Sequence, residues 1–312
     1  MAMAATEAGT PRTRRSRTRW LLVAIPYVWL LVFFLIPFFN VLKISFSSRA
    51  RALPPYKPAF DLAEGFAGLW AKAQQFQLGN YVQLVTDSKY WQAYLSSLQI
   101  ALISTVLILL VAYPIAYGMA RARREWRGAL VMLVILPFWT SFLIRVYAWI
   151  GILKNEGLLN GLLLWTGLIA QPLVILQTLT AVYIGIVYSY LPFMILPIYA
   201  NLEKHDPTLI EAAVDLGCTP IAAFWKVTIP LAIPGIVAGC FLVFIPAVGE
   251  FVIPDLLGGS DTLMIGKVLW TEFFNNRDWP LASAVAILLL LLLVVPIALF
   301  QRQQAARIEE RH

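Results

Sequence analysis

Apolar residues in this chain come in long unbroken runs rather than in alternation. The runs are about as long as a helix needs to cross a hydrocarbon core, about 20 residues. They fall at residues 20–42, 95–119, 129–150, 231–253 and 281–300, with one more that starts after Pro172 and ends between Leu191 and Ala200. The pattern predicts six membrane-spanning helices. Between the first two runs, residues 43–94 form a mixed loop; Pro54, Pro55 and Pro58 argue for irregular backbone, and Tyr81, Tyr90, Trp91 and Tyr94 suit an interfacial stretch. Residues 151–167 are too short and too rich in glycine to cross, and are expected along the outer surface. Residues 258–279 are expected as an outer loop.

One polar stretch reads as well-formed helix without being a span: residues 206–230, DPTLIEAAVDLGCTPIAAFWKVTIP. Asp206 is a cap, Pro207 suits the first helical position, and Glu211 places negative charge near the positive end. Leu209, Ala212, Ala213 and Leu216 share one face, with Glu211 and Asp215 off it. Gly217 supplies a left-handed stop. Thr219 and Pro220 begin a second short helix that ends before Pro230. The result is a helical hairpin between the fourth and fifth spans, whose small Ala212–Ala213 face allows close approach by another protein.

Composition agrees with the membrane reading: 60% of residues are hydrophobic and 13% charged, which a soluble domain of this size does not show. The net charge of +7 reflects topology rather than nucleic-acid binding, because the basic residues cluster at span ends. Arg12, Arg14, Arg15, Arg17 and Arg19 precede the first span, Arg121, Arg123, Arg124 and Arg127 follow the second, and Arg302, Arg307 and Arg311 follow the sixth. All three clusters place both termini and the 206–230 hairpin in the cytoplasm. The first run is too long for a signal-peptide core and no small-residue cleavage site follows it, so an uncleaved span is expected. The organisation is a basic tail over 1–19, a six-span domain over 20–300 and a cytoplasmic tail over 301–312. Cys218 and Cys240 form no disulfide or metal pattern. Gly266–Lys267 lacks the rest of a phosphate-binding loop, and His205 and His312 stand in no catalytic constellation, so catalysis by the chain alone is not expected.

The hairpin carries a resemblance. Glu211–Ala212–Ala213, three residues, Gly217, nine residues, then Val227-x-Ile229–Pro230 resembles the EAA signature of permease subunits of bacterial ABC importers, with Val227 and Ile229 as conservative departures. A second stretch, Phe244 to Gly259, resembles polyamine importer permeases, and Met264 to Pro280 is similar to the putrescine importer permease. These resemblances imply an all-α membrane fold of the type I importer kind in the bacterial inner membrane. They also imply an ABC ATPase dimer that binds the ATP and magnesium, a second homologous permease and a periplasmic amine-binding protein. Glu211, Ala212, Ala213, Asp215 and Gly217 would then couple ATPase motion to the spans. The alternative for the hairpin is a loop helix that packs only on its own spans.

Residue chemistry adds candidates for a cationic substrate path. Glu250 lies late in the fifth span beside Gly249, between Pro246 and Pro254, where a carboxylate must face protein, water or a cation. It either lines the path or pairs with Arg145, at similar depth in the third span. Asp255 is a second rim carboxylate or a solvated loop residue. Tyr183 and Tyr190, i and i+7 on the fourth span, offer aromatic faces to an ammonium or simply pack. Glu272, Arg277 and Asp278 are expected to organise the outer loop. A rival reading is an ion-coupled secondary transporter using Glu250, and a third is a membrane scaffold. Both leave the hairpin signature unexplained. An ABC permease for another small cation is also open.

Overall fold

The computed structural model describes residues 23–59, 70–72, 74–206 and 208–309. The N-terminal arginine cluster, Pro207 and Arg311 lie outside them. The chain divides into two compact units, residues 1–81 with 278–288, and residues 82–277 with 289–312.

In the first unit, α1 (Val23–Ser45) is followed by an antiparallel pair, β1 (Ser48–Arg49) and β2 (Tyr56–Lys57). Asn80 Nδ2 donates to the carbonyls of Ser45 and Ser47, both at 2.8 Å, and closes the turn after α1. The mixed loop is thus partly ordered by one amide that satisfies two buried carbonyls.

The second unit holds most of the helices. After α2 (Gly79–Thr86), α3 (Ser88–Arg121) is capped by Asp87, which accepts from Lys89 N at 2.9 Å. The second span therefore begins earlier than the apolar run suggested, because Tyr90, Ala93 and Tyr94 are buried along the same helix. The third span is not straight. α4 (Arg124–Trp139) closes in a 3-10 turn at Leu136–Trp139, and the next segment, α5 (Phe142–Leu153) with α6 (Leu158–Trp165), leaves at 87°. Pro137 and the Thr140–Ser141 pair interrupt the helical bonding there. α7 (Leu179–Leu202) runs through both Pro192 and Pro197, so the fourth span has a clear end at Leu202.

α8 (Thr208–Asp215) is the first hairpin helix. The second does not stop before Pro230: α9 runs from Pro220 to Val248, with a π turn at Phe224–Thr228. Pro230 has no N–H to give, and the wider turn absorbs the fault, with Ile229 N–H reaching Phe224 O. The same device recurs at Leu31–Leu35 ahead of Pro37. α10 (Val252–Leu256), α11 (Ile265–Trp270) and α12 (Trp279–Glu309) complete the chain. The stretch between α10 and α12 is no exposed loop, since Met264, Ile265, Val268 and Glu272 are buried. α1, α3, α7 and α9 are each long and apolar enough to cross a membrane, the bent pair makes a fifth, and α12 is apolar over Trp279–Val295.

α3, α7 and α9 form the core of the second unit. α3 presents Ala101, Ile108, Ala112 and Ala116, all fully buried, on one face, two turns and then one turn apart. α9 presents Gly235, Gly239, Val243 and Ala247 at strict four-residue spacing. Small residues let backbones approach where lipid supplies little hydrophobic drive between helices. A methyl at Gly235 would stand 2.6 Å from Asn201 Cβ and 2.9 Å from Pro197 O, so α9 touches α7 almost backbone to backbone. Gly235→Ala is expected to cost about 1–3 kcal/mol by overpacking, read as a lower melting temperature of the purified protein in detergent; an unchanged value would contradict this contact.

Candidate functional site

Glu250 occupies the break between α9 and α10. α9 stops at Val248, and its last turn closes with Glu250 N–H on Ala247 O at 3.3 Å. The carboxylate then turns onto the freed amides that start α10. Oε1 accepts from Phe251 N at 3.2 Å, Val252 N at 3.0 Å and Ile253 N at 3.3 Å. Oε2 accepts a short hydrogen bond from the Tyr190 hydroxyl of α7. At 7% exposure this is a buried carboxylate with both oxygens occupied, which is how such a group is tolerated. Three supports hold the turn. α10 packs where a methyl on Gly185 would meet Leu257 and Ile253 at 2.7 and 2.8 Å. Gly266 of α11 lies so close behind that a side chain there would overlap Gly249 O and stand 2.6 Å from Glu250 O. Phe251 stacks on Trp270 with centroids 4.6 Å apart.

The Arg145–Glu250 ion pair is not formed. Arg145 Nη1 donates instead to Pro137 O at 2.9 Å, and the guanidinium lies 4.9 Å from the Phe138 ring and 5.8 Å from that of Phe142. Pro137 O, at the bend, also accepts from Thr140 N at 3.3 Å and Thr140 Oγ1 at 2.8 Å, so Arg145 is a third donor to it. Both charges nonetheless line one cavity of about 790 Å³, with Phe138, Phe142, Ser189, Tyr190, Phe193 and Phe251 among its walls. Ser189 Oγ is buried there without a hydrogen-bond partner. Tyr183, two turns from Tyr190, packs against the core and is not part of this wall. Asp255 pairs with Lys267 at 3.5 Å and stays half exposed.

Glu272, expected to organise its loop, is buried among donors: Lys89 Nζ at 3.3 Å, Tyr90 OH at 3.2 Å and Asn276 Nδ2 at 2.6 Å. The aromatic walls and Ser189 were not read from the sequence. Phe138 and Phe142 at i, i+4 on either side of a proline-linked break were the available sign.

The hairpin is the second site. No residue of α8 is buried, and Glu211, Ala212 and Asp215 all face outward. Gly217 adopts φ +87°, with Cys218 N–H bonded back to Ala213 O at 3.0 Å and Gly217 N–H to Val214 O at 2.8 Å. Thr219 Oγ1 accepts from Ala222 N at 3.3 Å to cap the next helix. Leu216, Ile221 and Trp225 are exposed at 87, 73 and 63%. The hairpin is tied to the spans by edge-on packing of Phe224 against Tyr113 and Tyr117, with centroids at 6.0 and 5.5 Å. Ahead of the hairpin, Arg127 pairs with Glu203, the C-terminal cap residue of α7, at 3.5 Å. Asp206 Oδ1 accepts from Thr208 N at 3.0 Å, and this bond holds its carboxyl below the usual carboxylate value.

A multi-span bundle with a carboxylate-centred cavity and an exposed helical hairpin is the architecture of a membrane permease, a transport component rather than an enzyme. The pattern of the binding-protein-dependent transport system inner membrane components matches residues 112–310, and the chain belongs to that family of multi-pass inner membrane proteins. It is similar to the spermidine/putrescine transport system permease protein PotB of Haemophilus influenzae, 41% identical over 280 residues, 90% of this chain and 92% of that one. The Escherichia coli protein of the same name is 39% identical over 274 residues, 88% of this chain and 93% of its own length. A crystal structure of a bacterial ABC transporter that imports the acidic polysaccharide alginate shares the fold, with TM-score 0.67 and 18% identity over 94% of this chain and 98% of that one.

Because the Asp206 pKa is depressed, its capping contribution is complete above the ordinary aspartate value and is lost as pH falls through the lowered one. Hydrogen exchange of the 208–215 peptide, corrected for intrinsic rate, should keep its protection from pH 7 to about 4, near the ordinary aspartate value, and lose it below. Asp206→Asn should abolish that pH dependence.

Proposed function

We propose that this chain is a pore-forming permease subunit of an ATP-driven importer for polyamines, with putrescine as the favoured cargo over spermidine. The observation that carries the reading is the Glu250 cavity, a buried carboxylate set among five aromatic rings. Carboxylate and ring faces together suit an alkylammonium ion. The spermidine/putrescine relatives, at about 40% identity over most of their length, support the same class. Glu250 and Tyr190 are the substrate-path residues in this reading. Asp255, beside Lys267, and Tyr183, off the wall, contribute less.

In this reading six spans cross the inner membrane, the third of them the bent and broken α4–α5, with both termini in the cytoplasm. The hairpin lies on the same side and docks in a cleft of an ABC ATPase dimer, which holds the ATP and magnesium. Its exposed Leu216, Ile221 and Trp225 give the contact apolar area, and Glu211 gives it charge. A second, homologous permease completes the pore, and a periplasmic amine-binding protein delivers cargo. ATP acts on access to the cavity because the hairpin contacts differ between ATPase-closed and ATPase-open states. Release into the cytoplasm follows hydrolysis.

Proteoliposomes holding this chain with its ATPase, sister permease and binding protein should take up putrescine only with ATP, with weak competition by spermidine. Glu211→Lys should reduce that uptake at least a hundredfold while leaving membrane insertion intact; normal uptake by this variant would remove the coupling role. ATP-driven transport that ignores putrescine would discard the cargo.

A further inference from the structure

Arg145 is the charge in the Glu250 cavity that the import reading leaves without a task. Its guanidinium has one hydrogen bond, to Pro137 O at 2.9 Å, and its Nε is enclosed without an acceptor. Arginine carries five N–H donors, so this one is poorly served by hydrogen bonds. What surrounds it instead is aromatic: Phe138 at 4.9 Å and Phe142 at 5.8 Å. No Asp or Glu oxygen among the described residues lies within 4.0 Å of it, and Glu250 is fully engaged by Tyr190 and three amides. The cavity thus holds a cation on the ring faces that an entering ammonium would itself use.

We propose that Arg145 is a resident cation in the amine path that keeps cargo binding weak and ranks amines by charge. The proposal rests on the amine-import reading. With Arg145 charged, the cavity pair of Arg145 and Glu250 is neutral, so a diamine gains little from entering. With Arg145 neutral, Glu250 alone would make the cavity an anionic trap for ammonium groups. At an effective dielectric of about 20, a like charge roughly 8 to 10 Å away weakens binding of one ammonium by about fifteen- to thirtyfold. A diamine feels that repulsion at both ends and a monoamine once. Weak binding is useful in a conduit, because cargo held tightly leaves slowly.

The test is equilibrium binding of radiolabelled putrescine to the ATPase–permease complex in nanodiscs, without the binding protein, so that the cavity and not the delivery protein sets the affinity. Arg145→Gln should tighten putrescine binding about tenfold or more, tighten butylamine binding less, and slow ATP-driven uptake in the complete proteoliposome system. Arg145→Lys should bind as the unaltered complex does. Arg145→Met, whose apolar stem still packs on the two rings, should reproduce Arg145→Gln and serves if that variant assembles poorly. Unchanged affinity in both neutral variants, equal effects on mono- and diamine, or Arg145→Lys behaving like Arg145→Gln would each overturn the proposal. So would failure of both neutral variants to assemble, which would make Arg145 a structural residue. An unaltered complex that imports another solute and no amine would remove the import reading itself, and the proposal with it.

Discussion

A peptide group in hydrocarbon must find its hydrogen-bond partner within the chain, and this chain breaks its helices with proline repeatedly. Each break is met by a local answer. Before Pro37 and Pro230 the helix widens to a π turn, so that the residue ahead of the proline reaches one carbonyl further back. After Pro137 the carbonyl at the bend accepts from Thr140 N, Thr140 Oγ1 and Arg145 together. Between α9 and α10 the freed amides are taken by the Glu250 carboxylate. The two charges of the cavity thus both bond to backbone at helix breaks, Glu250 to freed amides and Arg145 to a carbonyl that Thr140 also serves. A site assembled this way is held in place by backbone, not only by side-chain packing.

The cavity and the hairpin are linked by close helix contact. Gly235 and Gly239 bring α9 onto α7, Gly185 brings α10 onto the same helix, and Gly266 seats α11 behind the Glu250 turn. Tyr190, on α7, then reaches Glu250 across a gap that these glycines set. Packing at this distance leaves little slack, so the position of the carboxylate depends on four helices at once.

Much of this was legible in the chain. Run length located the long apolar helices, and the hairpin declared itself through Asp206, Gly217 and Thr219, whose caps and left-handed stop are in place. Glu250 stood out as a carboxylate among apolar residues. What was not legible depends on tertiary detail. The Arg145–Glu250 pair follows from similar depth, but depth says nothing of azimuth, and a backbone carbonyl and two rings are nearer to Arg145. The bend of the third span lay out of reach because run length does not register a break near a proline that turns the helix by 87° without ending its apolar character. The second hairpin helix was cut at Pro230 because a proline reads as a boundary until the π turn that excuses it is seen. The aromatic wall of the cavity comes from three helices, and no single window of sequence contains it.

The unbroken run of α9 from Pro220 to Val248 makes hairpin and span one rod. Its tightest crossing with α7 is at Gly235, near the middle. At 1.5 Å per residue, the arms on either side are each about 20 Å long. A rod that tilts about such a fulcrum moves its two ends by similar amounts in opposite directions. Trp225 lies ten residues, about 15 Å, to one side of that crossing and Val248, next to the Glu250 turn, thirteen residues, about 20 Å, to the other, so a tilt about it would carry the two in opposite directions.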